Sequence, residues 1–281
     1  MTAIHRTDLL PTAMNTGKER AVRDLLRAWR RACAPVAADQ WTRFFRDGGF
    51  RKNLSAAQEA ASSGVAAAKA EIGGARVQMV RYQVVGTLSS FLSNRQNDFV
   101  EIVGKHEAFD ERTKHMLFIV NKAGAWFARD RKIVMPDTGE EVPADVRDLA
   151  QRIMRHVLKR HRKPSFRRAN MVVDQRQATL AGAATASKFP LWLSLATLAR
   201  RVGGKGKPTR DWRKIDLPLR PYPYFEKRKG QRCQTVQINE GDDGTIQVGV
   251  ITEVSEAFAD ERAKYTPMRE NLSIDFGLST L

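Results

Sequence analysis

The stretch "QRIMRHVLKRHRKPSFRRANMVVD", Gln151 to Asp174, divides the chain. On its N-terminal side the apolar residues recur at three and four. Val146, Leu149, Ile153 and Val157 fall on one face of a helix that Pro143, Asp145 and Asp148 open. Arg152, Arg155, Lys159, Arg162 and Lys163 fall on the other. From Gln151 to Asn170 there are eight Lys/Arg and no acid. A merely solvated helix mixes signs, so this one-sided run points to a polyanionic partner. Beyond Pro164 the pattern changes. "ANMVVDQRQATLAG", "KFPLWLSLATLARR", "RKIDLPLRPYPYF" and "TVQINEGDDGTIQVGVITEV" are rich in Val, Ile, Leu and aromatics, with Gly, Asp and Pro clusters between them. "NEGDDG" between two alternating runs reads as a hairpin. The fold class is α+β: a helical lobe followed by a small antiparallel barrel or strongly curved sheet.

Working back toward the N-terminus, "GKERAVRDLLRAWRRAC" places Val22, Leu25, Leu26, Trp29 and Cys33 on one face. Arg20, Arg23, Arg27, Arg30 and Arg31 form a guanidinium stripe opposite. A second helical segment, "AADQWTRFFRDGG", ends at Gly48-Gly49. Ala56 to Ala70 reads as a further helix with a Ser55/Gln58 capping box. A longer helix follows through Val77, Val80, Val84, Leu88, Phe91, Phe99 and Val103. "TKHMLFIVNKAGAWFARD" fits helix or strand, and "MPDTGEEVP" is a loop.

Composition narrows the function. The chain has 281 residues and a formal net charge of +17. That excess on a globular chain points to nucleic acid. Two cysteines, Cys33 and Cys233, make neither a disulfide framework nor a zinc site. The apolar run Phe189 to Ala199 is shorter than the ~20 residues a bilayer requires. No apolar signal core opens the chain, so a cytoplasmic, nucleoid-associated protein without membrane or small-molecule partner is expected. Candidate phosphate contacts are Arg152, Arg155, Lys159, Arg160, Arg162, Lys163, Arg167 and Arg168. Lys205, Lys207, Arg210, Arg213 and Lys214 add to them from the glycine-rich loop "ARRVGGKGKPTRDWRK". That loop lacks P-loop spacing. Trp212 and Tyr222, interleaved with cations, are candidates for base stacking or for strand core.

The last stretch, "LSIDFGLSTL", carries an aspartate at the end of a strand. As a kinase DFG segment it lacks an upstream HRD loop. As an actin-like phosphate loop it lacks the nucleotide-binding chain that should follow. As the first strand of an RNase H-like core, Asp275 would be one ligand in a carboxylate cluster for two-metal hydrolysis.

On that motif, with "KIDLPLRPYPYF", the "TVQINEGDDGTIQVGVITEV" hairpin and the basic helical region before them, the chain resembles the N-terminal part of TnpB (OrfB-type) transposon-encoded RNA-guided nucleases, kin to the type V CRISPR effectors. The resemblance implies four segments. Residues 1–12 hold the first strand of a wedge-like barrel, 13–163 a helical recognition lobe, 164–268 the barrel, and 269–281 the start of a RuvC-like domain. It further implies guide RNA and target DNA as partners, and magnesium as the cofactor of a complete parent, with Asp275 as catalytic metal ligand. The later carboxylates and CxxC pairs of that family are not in this sequence. The chain alone is therefore expected not to cleave DNA, as a fragment or natural truncation of a longer frame. The competing class is a non-catalytic, guide-binding repressor.

Overall fold

Residues 16–47 form a single helix, α1 (Thr16–Asp47), where two segments were expected. In the computed structural model, which describes residues 3–183, 188–202 and 208–264, the helix runs straight through Pro35. An interior proline costs about 3 kcal/mol of helix stability. Here the apolar face continues across it: Ala32, Cys33 and Val36 are all buried, and that packing outweighs the break. Asn15 caps the start, accepting from the Lys18 N–H at 2.9 Å. Gly48 ends the helix at φ +74°, where a Cβ would lie 2.5 Å from the Ala128 Cα, so only glycine fits.

The helix expected over Ala56 to Ala70 is two helices, α2 (Ala56–Ala60) and α3 (Ser63–Ile72). The Ser55/Gln58 capping box is present in both directions, at 3.3 and 3.0 Å. The break falls at Ala61-Ser62, and Gly64 then seats α3 on the Pro35 ring, where a Cβ would come within 2.8 Å. α4 (Gly74–Lys105) is the long helix expected, with Val77, Val80, Val84, Leu88, Phe99 and Val103 buried. The helix-or-strand stretch resolves as α5 (Glu111–Lys122), capped by Asp110 accepting from the Thr113 N–H at 2.6 Å, followed by irregular chain. α6 (Ala144–Arg160) is the amphipathic helix of the opening stretch.

The strands make two antiparallel sheets, and no closed barrel forms among the described residues. One sheet has the order β1-β7-β6-β2, from β1 (His5–Pro11), β2 (Met171–Val173), β6 (Gln231–Glu240) and β7 (Ile246–Glu253). The other has the order β3-β4-β5, from β3 (Ala178–Gly182), β4 (Leu191–Val202) and β5 (Pro208–Leu219). Among the described residues they pair through one bridge, Thr12 to Leu219, flanked by Ala13 N–H to Pro218 O at 3.1 Å and Arg220 N–H to Pro11 O at 3.0 Å, and β3 also touches β6. Closure fails because β2 has only three residues and lies against α4. The sheet packs on helices instead of on itself. β1 pairs along its length with β7, so the N-terminal strand joins a sheet whose other strands follow the helical insertion. The hairpin at "NEGDDG" forms between β6 and β7. A short helix, α7 (Pro223–Glu226), leads into β6, and α8 (Ser255–Lys264) follows β7 where the barrel was expected to continue.

Helices and sheets share one continuous buried apolar cluster. Two polar tethers fix their register. Glu240, at the end of β6, accepts from Arg23 and from Arg30, the latter at 2.6 Å, both on α1. This corrects the expected guanidinium stripe: the hairpin docks on that face, turns Arg23 and Arg30 inward, and leaves Arg20 and Arg27 exposed. The second tether is Arg76 of α4, 1% exposed. Its guanidinium donates to the carbonyls of Ile72 (3.0 Å), Ala196 (2.7 Å) and Thr197 (3.1 Å). The β4–β5 register shifts after Ala196, which turns two β4 carbonyls toward the cation. Trp212 of β5 lies over Arg76 at 4.8 Å and over Arg200 at 3.4 Å. Gly73, at φ +87°, leaves room for that indole.

Removing Arg76 orphans two strand carbonyls and opens a cavity under Trp212. Arg76→Met should therefore destabilise the chain by about 3 kcal/mol in urea unfolding. A loss within error of zero would contradict the tether.

Candidate nucleic-acid interface

α6 is built to present charge. Val146, Ala150, Ile153, Met154 and Val157 are buried, packing the helix on α4 and α5. That packing holds the opposite face outward. Arg152, Arg155, Lys159 and Arg160 are exposed on it, and Arg162 and Lys163 continue the exposed run past its end. None of these six makes a salt bridge among the described residues. Two are steadied by rings: Arg155 lies 5.8 Å over Phe127, and Lys163 lies 5.1 Å over Trp41. Residues 161–170 then cross to β2, pinned by Phe166 against the core and by Ala169 O and Asn170 O, which accept from Arg30 (3.1 Å) and Gln83 (2.7 Å). Arg167 is exposed on this crossing. Arg168 pairs with Asp242 at 3.1 Å, both almost fully exposed.

The loop candidates are only partly described. Lys205 and Lys207 lie outside the described residues, as does the side chain of Arg210. Arg213 and Lys214 are exposed on β5, beside the sheet. The aromatic candidates are held within the fold. Trp212 is half-buried between two guanidinium groups and Gly73. Tyr222 is half-buried and donates its hydroxyl to Asp8 at 2.7 Å. Each is thus held in the fold with part of its surface still accessible. Phe225, on α7, is core. Asp275 lies outside the described residues.

Two groups escaped the sequence reading. Arg76 looked like one more cation on a helix, though its apolar neighbours Val77 and Val80 mark that face as interior. Asp8, on β1, is 3% exposed. It accepts two hydrogen bonds from Arg228, one of them at 2.8 Å, as well as the Tyr222 hydroxyl. Burial acts to raise its pKa, but those hydrogen bonds outweigh burial and hold it below the usual carboxylate range. Cys33 is a core thiol that burial pushes up to about 12, which removes it from thiolate chemistry. Among the described residues no three His, Cys, Asp or Glu side chains gather as a metal site. No helix among them is long and apolar enough to cross a membrane. Comparison of the sequence with protein-family models and with curated proteins yields no match.

Because the folded pKa of Asp8 lies below its unfolded value near 4, its stabilisation is present at neutral pH and lost as pH falls through the folded pKa. Asp8→Asn should lower the thermal midpoint at pH 7. The gap to wild type should then narrow on acidification below about pH 4. Midpoints that keep a constant gap from pH 7 to pH 2 would contradict the assignment.

Proposed function

We propose that this chain binds RNA along the cationic face of α6 and the 161–168 crossing. We further propose that it is the N-terminal part of a TnpB-type RNA-guided DNA endonuclease, holding the guide RNA scaffold and the guide–target duplex. The observation that carries the binding reading is the row of exposed, unpaired cations on a helix whose other face is fully packed. Side chains three or four residues apart on a helix rise about 5–6 Å, so the row can follow consecutive phosphates of one strand. Such contacts are independent of sequence, which suits a system where base pairing reads the target and protein reads shape. Arg213 and Lys214, exposed on β5, add further cations on the sheet.

The nuclease part of the proposal rests on the "LSIDFGLSTL" motif alone. In a complete parent, magnesium would supply a metal-activated water for phosphodiester hydrolysis, with Asp275 as one ligand. The described residues contribute no ligand cluster to it, so no catalytic step is assigned to them.

Replacing Arg155, Lys159, Arg162 and Lys163 together by Ala tests the interface. The thermal midpoint should stay within about 4 °C, because none of the four is buried or ion-paired. Affinity for a structured RNA hairpin should fall. The slope of log K against log salt should flatten by about 3 units, near 0.7–0.9 per lost phosphate contact. An unchanged slope would remove α6 from the interface.

A further inference from the structure

A cleft lies away from α6, at the end of the β1-β7-β6-β2 sheet. It measures about 700 Å³. Its walls come from β1 (Arg6, Thr7), from α7 and the turn after it (Tyr224, Lys227, Arg228), and from α8 with the residue before it (Val254, Phe258).

Three properties stand together here. First, Tyr224 and Phe258, 68% and 47% exposed, are among the few large apolar side chains left in solvent, and both line this one cleft. Second, Tyr224 is held in place. The Arg228 guanidinium lies 4.9 Å over its ring, and Arg228 is itself fixed by its two hydrogen bonds to the buried Asp8. One ring face is thus backed by a cation while most of the ring remains open. Third, the lining has four cationic residues, Arg6, Lys227, Arg228 and Lys229, and no acid, with Arg228 alone of the first three paired to Asp8. A fixed, exposed aromatic ring in a cationic, partly apolar cleft fits a planar, anionic unit. A nucleobase would stack on the open ring, and its flanking phosphates would meet Arg6 and Lys227.

We infer that this cleft is a docking site for an unpaired nucleotide of the bound RNA strand, with Tyr224 as the stacking shelf and Phe258 as the apolar wall. The inference rests on the RNA-binding reading above and adds a second, single-strand-specific element to it. The α6 row contacts phosphates of any strand, whereas this cleft accepts only a base free of its stack. Bases inside a duplex are stacked on both faces and would gain nothing from it.

The test uses the full chain and two RNA hairpins with the same stem and the same tight, internally stacked tetraloop, so that only the tail adds unpaired bases. One is blunt, and one carries a single-stranded tail containing 2-aminopurine. Wild type should bind the tailed hairpin at least about fivefold tighter than the blunt one, with quenching of the tail fluorophore on binding. Tyr224→Ser should abolish both the preference and the quenching while leaving blunt-hairpin affinity unchanged. Tyr224→Trp should retain both. Phe258→Ala should weaken the preference. An equal tail preference in wild type and Tyr224→Ser, or none in wild type, overturns the cleft while blunt-hairpin binding leaves the α6 reading standing. Failure of wild type to bind either hairpin overturns both.

Discussion

Arg76 is a cation buried with no carboxylate, and the joining of the helical and sheet halves depends on it. Its charge is met by three carbonyl dipoles and the Trp212 ring, while its Nε lacks a partner. Burial, with the charge of Arg200 nearby, pushes its pKa down to about 10. A buried charge is tolerated only where the surrounding groups are fixed in advance. The irregular register of β4 on β5 does this by presenting two strand carbonyls toward α4. The position of the β3-β4-β5 sheet is therefore set by a residue in the first turn of α4, 120 and 121 positions before the strand carbonyls it holds. Through the Thr12–Leu219 bridge, that position extends to β1 and the second sheet.

The same economy governs the acids. Asp8, Asp39, Glu59 and Glu240 each lie at least partly inside and pair with arginines there. Carboxylates are thus drawn into the fold, where they fix Arg228, Arg43, Arg81, Arg23 and Arg30. What is left outward along α6 is a run of cations without salt bridges, while on its continuation Arg168 meets Asp242 and His161 Nε2 lies 3.1 Å from Asp98. A net charge of +17 becomes a directional surface by this sorting of signs. The inward arginines set geometry, and the outward ones remain available to phosphate.

Local patterns in the sequence carried the helices well. The apolar faces of α1, α4 and α6, the capping box at Ser55 and the β6–β7 hairpin follow from spacing and turn residues that act within a few positions. The failures are tertiary. Pro35 reads as a break because the packing that overrides it comes from α3. A barrel was expected because alternation says which face of a strand is buried but not what covers it. Here α4 covers β2, and among the described residues the sheet does not close. The basic row of α6 was legible because it is a single helix face. Arg23 and Arg30 were misjudged because their partner, Glu240, lies over 200 positions away. Trp212 and Tyr222 were ambiguous for the same reason: cations interleaved in sequence can lie under a ring as structure or beside it as a binding surface.

The central claim is that the outward face of α6, with the crossing after it, meets RNA directly. Ultraviolet cross-linking of the full chain to a structured RNA, followed by mass spectrometric mapping, reads that contact at residue level. The account predicts cross-links in peptides containing Arg152 to Arg160 and His161 to Arg168. Cross-links confined to the α4–α5 surface around Val100 and Phe109, with none on those peptides, would contradict it.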